Sequence, residues 1–193
     1  AFRLSENSTH AVDAGQPPEC TQEPSVFCTG DTAYWLVNHA LTWLEGQQHC
    51  QVYNGTLASF PSQAHQDTAI AGLAAKARQH GSALPLEHHI WIGLNDRAAE
   101  GQWAWQDGAA AAWTHWAPGE PNDAVWWEGD TGSRGENCAM IVSEAFVAER
   151  WPGQEAGVWN DLPCAMTAWD GVAILPLCMV GFASLAPPAP AIE

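Results

Sequence analysis

Side chains that carry oxygen recur in three short stretches of this chain. The first is Gly119-Glu120-Pro121-Asn122-Asp123, and Glu136-Asn137-Cys138 and Trp159-Asn160-Asp161 follow it. Hard cations such as calcium take roughly six to eight oxygen ligands, which carboxylates, amide carbonyls and water supply. The mixture of carboxylates and neutral amides therefore indicates a calcium site.

Ligands of these two kinds keep a group available for a second partner. A carboxylate that gives one oxygen to a metal still accepts a hydrogen bond with the other, and an amide that gives its oxygen still donates from its NH₂. Glu120 and Asn122 stand two residues apart, so they point the same way in an extended segment. Two neighbouring hydroxyls of a sugar would then bind the metal and also bond to these side chains.

The same acids would also suit a glycosidase that uses two of Glu120, Glu136 and Asp161. That chemistry requires one carboxyl with a raised pKa beside an ionised partner. A cluster of carboxylates with few Lys or Arg around it is better explained by a cation. Because no Ser/His/Asp or Cys/His arrangement stands out either, we expect no enzymatic activity.

The charge of the chain limits its possible partners. Its 193 residues include 22 Asp and Glu against 6 Lys and Arg, a net charge of −16. Nucleic acids and anionic membranes are bound through basic residues, so we expect neither as a partner. The apolar fraction of 47% is enough for a core. The chain contains no run of about eighteen apolar residues, the length that a membrane-spanning helix needs, so we expect no insertion into a membrane.

Short helices and strands must position the oxygen-bearing stretches. The spacing of apolar residues predicts a strand at Tyr34–Val37 and a helix with Trp43, Gly46 and Cys50 on one face. A second helix is predicted to open after Pro61-Ser62, to end at His80-Gly81 and to turn four residues inward, Ile70, Leu73, Ala74 and Ala77.

Short strands joined by turns are predicted from Ile90 onward. They include Trp91–Leu94, Trp103–Trp105, Cys138–Val142, Gly157–Trp159 and Val172–Cys178. Six tryptophans are most simply core residues, since aromatic side chains dominate core energetics; they are Trp91, Trp103, Trp105, Trp113, Trp116 and Trp159.

In their order along the chain these motifs resemble the C-type lectin-like domain. The resemblance rests on Trp43-x-x-Gly46-x-x-x-Cys50, Gly55-x-Leu57-Ala58, Trp91-Ile92-Gly93-Leu94 and the three oxygen-bearing stretches. It implies an α+β fold of the C-type lectin kind, with two helices, small antiparallel β-sheets and long irregular calcium-binding loops. The domain would span residues 20–180, after a leader or linker at 1–19 and before a Pro/Ala-rich tail at 181–193.

The resemblance implies two sets of metal ligands. The principal calcium would be held by Glu120, Asn122, Glu136, Asn160 and Asp161. The sugar would be bound by Glu120, Asn122, Glu136 and Asn160. A second calcium would take Asp96, Glu100 and Asp123 and would share Glu136.

Six cysteines, an even number, suggest disulfides and an oxidising compartment. Cysteine arithmetic alone leaves about 15 pairings open. The resemblance implies three of them, namely Cys20–Cys28, Cys50–Cys178 and Cys138–Cys164.

Two stretches are longer than the family pattern. Thirteen residues separate Asn122 from Glu136, and they include Trp126 and Trp127. This pair could form an aromatic platform against the apolar face of a sugar ring, or it could pin the insertion to the domain. Residues 145–156 also enlarge a loop that is usually shorter.

The resemblance implies calcium-dependent binding of glycans or glycoproteins, for adhesion or recognition at the cell surface. The order Glu120-Pro121-Asn122 is that of the mannose-type subset, which binds mannose, glucose, N-acetylglucosamine and fucose. We expect a secreted or cell-surface location and a module of a larger extracellular protein. The alternative is a lectin-like module that binds a protein or an ice surface without sugar specificity, since one fold hosts several functions.

Overall fold

A computed structural model describes residues 26–80, 85–124 and 135–181 of the chain. The strands are β1 Val26–Thr29, β2 Thr32–Leu36, β3 Thr56–Leu57, β4 His89–Asn95, β5 Ala104–Trp105, β6 Cys138–Ile141, β7 Trp159–Leu162, β8 Ala168–Trp169 and β9 Val172–Gly181. The helices are α1 Trp43–Val52, α2 Gln63–His80 and α3 Glu144–Arg150, with a short 3-10 helix at Pro85–Glu87. No helix in these ranges is both long enough and apolar enough to cross a bilayer.

The strands follow the order β1-β2-β9-β4-β6-β7, with β3 and β8 also paired to β9 and β5 paired to β4. β9 is the central strand, because four other strands pair with it. β6 and β7 are antiparallel neighbours at the far edge, where Ala139 lies opposite Asp161 and Met140 lies opposite Asn160. This pairing brings the third oxygen-bearing stretch beside the strand that follows the second.

Helix α1 packs against the central strand through the predicted face. Thr42 and Glu45 form a capping box at its first turn, and Trp43, Gly46 and Cys50 are buried. A Cβ atom on Gly46 would lie 2.7 Å from a ring carbon of Pro176 in β9. Glycine at this position therefore allows the helix to approach the strand closely.

The predicted inward face of helix α2 is confirmed in part. Leu73 and Ala77 are buried as expected, but the other buried residues of the helix are Gln66 and Ala69. Ile70 and Ala74, which were also predicted to face inward, are half-buried, and Ile70 packs against the edge of the core. Gln66 is buried with both ends of its side-chain amide hydrogen-bonded. The oxygen accepts the indole N–H of Trp159 at 2.6 Å, and the nitrogen donates to the carbonyl of Gly157 at 2.9 Å.

A third helix occupies the stretch that was expected to be an enlarged loop. α3 begins after Ser143, whose hydroxyl accepts the backbone N–H of Phe146 at 3.4 Å, and it buries Val147. The expectation of two helices is therefore corrected to three in the described residues, and the expected loop at 145–156 is helical as far as Arg150. The helix is capped by Ser143 and packs on the core through Val147 and Phe146, whose ring lies 4.3 Å from that of Trp169. The sheet also contains one parallel pair, β4 with β9.

The tryptophans form much of the core, as predicted. Trp91, Trp105 and Trp159 are buried, and the half-buried Trp103, Trp113 and Trp116 pack against the cluster that contains Trp105 and Trp159. Trp159 lies at the centre of this cluster. The rings of Trp105, Trp113 and Trp116 meet its ring edge-to-face, with centroid distances of 5.7, 4.9 and 5.8 Å. The residue before Asn160 is therefore held on several sides.

Two disulfides join the described residues, and both pairs are those implied by the resemblance. Cys50–Cys178 ties α1 to β9, and Cys138–Cys164 ties the start of β6 to the segment after β7. Cys28 is also disulfide-bonded, while its expected partner Cys20 lies outside the described residues. The domain limits at 20 and 180 stay predictions, since residues 1–25 and 182–193 lie outside the described ranges.

The two disulfides should differ in their contribution to stability. Cys50–Cys178 closes 128 residues and Cys138–Cys164 closes 26. On chain-entropy grounds, replacing the first pair by alanine should lower the free energy of unfolding by about 5 kcal/mol, and replacing the second by about 3.5 kcal/mol. Denaturant unfolding of the two double variants measures both losses. Equal losses, or the reverse order, would contradict this explanation.

Candidate metal centre

The strand pair β6 and β7 provides the fixed part of the site. Asn160 and Asp161 lie in β7, and Glu136 lies two residues before the start of β6. All three side chains are buried. Charged and amide groups are seldom buried without partners, so the arrangement requires groups that satisfy them.

The segment that carries Glu120 is anchored to the same strand. The N–H of Ala117 donates to the carbonyl of Trp159 at 2.8 Å, and the N–H of Glu120 donates back to Ala117 at 3.0 Å. The Glu120–Pro121 peptide bond is cis. After it, the backbone N–H groups of Asn122 and Asp123 both donate to the Asp161 carboxylate, with distances of 2.9 to 3.2 Å. Asp161 thus holds the first oxygen-bearing stretch against the third.

Asp123 connects the first stretch to the second. Its Oδ1 accepts the backbone N–H of Glu136 at 2.9 Å, and Oε2 of Glu136 accepts the N–H of Ala124 at 3.0 Å. Gly135 makes this contact possible, because a Cβ atom there would collide with Asp123 Oδ1 and because its φ is +107°. The sequence offered only the glycine itself as a signal of this close approach.

Glu120 lies beside two other acids and has no cation to balance them in the described residues. Burial, then a hydrogen bond with the Asp161 carboxyl and the charges of Asp161 and Glu136, raise the pKa of Glu120 to about 7. Its Oε2 is buried without a hydrogen-bond partner, and so is Oδ1 of Asn160. Two buried acceptor oxygens beside a crowd of carboxylates are the surroundings that a bound cation would satisfy.

A second group of acids lies at the end of β4. Asp96 is buried and accepts the N–H of Gly101 at 2.8 Å. With its amide nitrogen turned toward them, Asn137 donates to Asp96 Oδ1 at 2.9 Å and to Glu100 Oε2 at 3.2 Å. Desolvation, above all, raises the pKa of Asp96 and of Glu100, and the charge of Asp123 acts on both in the same direction. Asp123 therefore lies between the two groups.

The structure brings the expected ligands together without forming a finished ion site. No three His, Cys, Asp or Glu side chains within residues 26–80, 85–124 and 135–181 converge closely enough to ligate one ion. Asp161 and Glu136 are instead bonded to backbone N–H groups, and Asn122 Oδ1 accepts the N–H of Ala124 at 2.8 Å. Amide oxygens supply part of a calcium shell, and Asn160 offers one with no other partner. In donor type and in unsatisfied oxygens, the residues fit calcium.

The aromatic pair Trp126 and Trp127, considered as a sugar platform, lies outside the described residues. Asn137 is the residue whose importance the sequence understated. Only its place after Glu136 signalled it, whereas the structure uses its amide to join Asp96 to Glu100.

Comparison with known proteins gives a consistent family. The model of the lectin C-type domain matches residues 39–168. Mouse asialoglycoprotein receptor 2 is 34% identical over 137 residues, which are 70% of this chain and 36% of the receptor. Echinoidin of Heliocidaris crassispina is 27% identical over 158 residues, 77% of this chain and 92% of that protein. The chain thus spans about a third of the length of the receptor that it matches.

Solved structures agree in fold. The carbohydrate-recognition domain of cow CD23, determined in the presence of a GlcNAc2Man3 oligosaccharide, is 24% identical with a TM-score of 0.57, over 81% of this chain and 93% of that one. A calcium-independent type II antifreeze protein is 20% identical with a TM-score of 0.54, over 81% of this chain and 92% of that one. At these identities the likeness establishes the C-type lectin fold alone.

The raised pKa of Glu120 makes the stability of the calcium-free protein depend on pH. The folded state binds this proton more tightly than the unfolded chain, whose carboxyl has the ordinary value of 4.5. The stabilisation from the proton is therefore complete below about pH 4.5 and is lost as the pH rises toward about 7. In excess chelator, the melting temperature of the wild type minus that of Glu120→Gln should fall between about pH 5 and about pH 8.

The matched control for this measurement is Glu149→Gln, which removes an exposed carboxyl of α3 away from the site. Its difference from the wild type should not follow the same curve. A flat difference for Glu120→Gln across this range would contradict the raised pKa.

Proposed function

Because this chain belongs to the C-type lectin domain family, we propose that it binds glycans through calcium held at the loops around Glu120 and Asp161. Members of the family are binding proteins and not enzymes. The proposal therefore concerns recognition, and the glycosidase alternative is set aside.

The observation that carries the proposal is the pair of buried acceptor oxygens without partners, Glu120 Oε2 and Asn160 Oδ1. Leaving a buried acceptor unsatisfied costs about 1–3 kcal/mol, and more for a charged group. Glu120 also lies beside Asp161 and Glu136, whose charges oppose its ionisation. A divalent cation would satisfy the oxygens and offset the repulsion in one step.

The principal ion would be held by Glu120, Asn122, Glu136, Asn160 and Asp161. Calcium supplies a positive centre with open positions, at which two sugar hydroxyls can replace water. The chain's own residues set the orientation. Asp161 fixes the Asn122–Asp123 backbone through its accepted N–H bonds, and the buried Trp159 fixes the start of the Asn160–Asp161 pair.

The second ion would be held by Asp96, Glu100 and Asp123, with Glu136 shared between the sites. The amide of Asn137 already joins Asp96 to Glu100, and desolvation first, with the charge of Asp123 after it, raises the pKa of both. Metal bound here would remove that repulsion. Because Asp123 and Glu136 are bonded to each other's segments, occupation of this site would also stiffen the principal one.

The sugar would meet Glu120 as an acceptor and Asn122 as a donor. Asn122 Oδ1 already accepts from Ala124, and the side chain is exposed, so its NH₂ is available to a ligand. With the Glu-Pro-Asn order we propose mannose, fucose, glucose and N-acetylglucosamine as the sugar class. Trp126 and Trp127 stay a proposed platform for the sugar ring.

A second candidate function is recognition of a protein or an ice surface without sugar. Two findings favour it: the carboxylates do not converge on one point in the described residues, and a calcium-independent antifreeze protein shares the fold. Each of the experiments below separates this candidate from the first.

The natural partner would be a glycoprotein, and the setting extracellular. Named relatives include a receptor and echinoidin, and disulfides persist in oxidising compartments. Shallow single sites bind weakly, so useful adhesion would need several copies in one assembly. We therefore propose that the domain works as one module of a larger protein at the cell surface.

Removal of calcium should destabilise the protein and release it from sugar. An ion that binds only the folded state adds about 2.7 kcal/mol at a free concentration near 100 times its Kd. Excess chelator should therefore lower the melting temperature and abolish retention on mannose or fucose resin, and added calcium should restore both. Unchanged melting and retention would exclude the calcium proposal. A melting shift without retention on any glycan would favour the protein- or ice-binding candidate.

Exchange of donor and acceptor should change the sugar and keep the metal. Glu120→Gln with Asn122→Asp retains two oxygen ligands and the total charge, but it swaps the sides that donate and accept. Mannose affinity should fall about five- to hundredfold, since polar groups would be left unpaired, and galactose should gain. Calorimetry at saturating calcium measures both sugars.

The control carries the same kinds of change outside the site, Glu149→Gln with Gln154→Glu, both exposed residues. It should leave every affinity unchanged. If the Glu120 and Asn122 double variant keeps its calcium and also its original preference, the sugar does not bind at this metal.

A further inference from the structure

Arg97 occupies an unusual place in the turn that follows β4. It stands directly after Asp96 and three residues before Glu100, the two acids assigned to the second ion. Its guanidinium carbon lies 5.2 Å from the centre of the Trp43 ring. Within the part of the chain that the structure describes, the ion pairs involve Arg150 and His115 and not Arg97. The nearest cation in the sequence is thus directed to an aromatic face and not to the carboxylates.

Trp43 is a fixed platform for this contact. Its indole N–H donates to the carbonyl of Ile92 in β4 at 2.8 Å, and its backbone N–H donates to the carbonyl of Cys164 at 3.0 Å. The side chain is fully buried at the start of α1. Because the ring is buried and its indole N–H is bonded to β4, it offers the guanidinium a fixed face. Cation–π attraction of this kind acts within about 6 Å of the ring centre.

The other contacts of the turn from Asp96 to Gly101 are mainly hydrogen bonds. Ala99 N–H donates to the Asp96 carbonyl at 2.9 Å, and Gly101 N–H donates to the Asp96 carboxylate at 2.8 Å. Both bonds lie inside the turn. Outside the turn, the Asn137 amide bonds to Asp96 and Glu100, and the Asp96 N–H donates to the Asn137 carbonyl at 3.2 Å. Among the described residues, the Arg97 contact adds a link from the turn to α1.

We infer that Arg97 is a positioning residue for the second ion: its contact with Trp43 ties the Asp96–Gly101 turn to α1 and keeps the guanidinium away from the carboxylates. A guanidinium turned the other way would pair with Asp96 or Glu100 and compete with the metal. Held on the indole face, it leaves both acids directed toward Asn137. The inference rests on the proposed calcium binding for its second effect, and its first effect exists without metal.

The positive charge of Arg97 and its anchoring contact should have opposite effects on calcium affinity at the second site. Loss of a positive charge next to a cation site should tighten calcium binding if the charge acts only at a distance. Loss of an anchor should weaken binding, because the acids must then be ordered by the ion itself. The sign of the change in Arg97→Gln therefore decides between the two.

The first measurement uses the calcium-free protein. Amide hydrogen exchange of Ala99 and Gly101 should be about two- to fivefold faster in Arg97→Gln, the factor that loss of one exposed cation–π contact implies. Arg97→Lys keeps the charge and part of the contact and should lie near the wild type. Arg78→Gln is the matched control, since it removes one positive charge of the same acidic chain from α2. Its exchange rates at these amides should not change.

The second measurement is titration with calcium and with terbium, whose luminescence reports the ion. Arg97→Gln should weaken the second site about two- to fivefold and Arg78→Gln should not. Unchanged exchange at Ala99 and Gly101 would overturn the inference, and so would tighter calcium binding by Arg97→Gln. If no variant binds calcium, the proposed function fails while the exchange rates still decide the role of Arg97.

Discussion

The candidate metal centre consists of carboxylates that the fold brings closer together than their negative charges favour. Glu120 lies beside Asp161 and Glu136, and Asp96 shares a turn with Glu100. In the described residues no lysine or arginine forms an ion pair with any of them. Desolvation first, and then this crowding, raise the pKa values of Glu120, Asp96 and Glu100. Both effects cost stability until a proton or a metal ion compensates them. The rest of the domain supplies the rigidity that keeps these groups from moving apart.

That rigidity comes from the strands and the tryptophans behind the site. β7 is paired to β6 in a register that sets Asn160 and Asp161 beside the chain leaving Glu136. Trp159 anchors the start of β7, since its ring is enclosed by aromatic neighbours and its indole N–H is bonded to Gln66. Protein interiors are close-packed and resist displacement, so this core limits how far the repelling carboxylates can move apart.

The loops are ordered mainly by hydrogen bonds to the same acids. Asp161 and Asp123 accept backbone N–H groups from segments far apart in sequence, so each acid is both a proposed metal ligand and a structural link. Binding of an ion would thus act on loop order and on charge together. Arg97 adds a further link on the side of the second ion, through the buried ring of Trp43.

The sequence alone determined the family, the donor types and the cysteine pairs at Cys50 and Cys138, because these depend on ordered motifs and residue chemistry. It did not determine helix α3, which is capped by Ser143 and packs on the core through Val147 and Phe146. Nor did it determine that Gln66 of α2 is buried, since this depends on its hydrogen bonds to Trp159 and Gly157 from another part of the chain. The link from Asn137 to Asp96 and Glu100, and the contact of Arg97 with Trp43, depend on distances between segments that only the folded chain brings together. Local pattern specifies which groups can bind a cation, and tertiary packing decides which of them face one another.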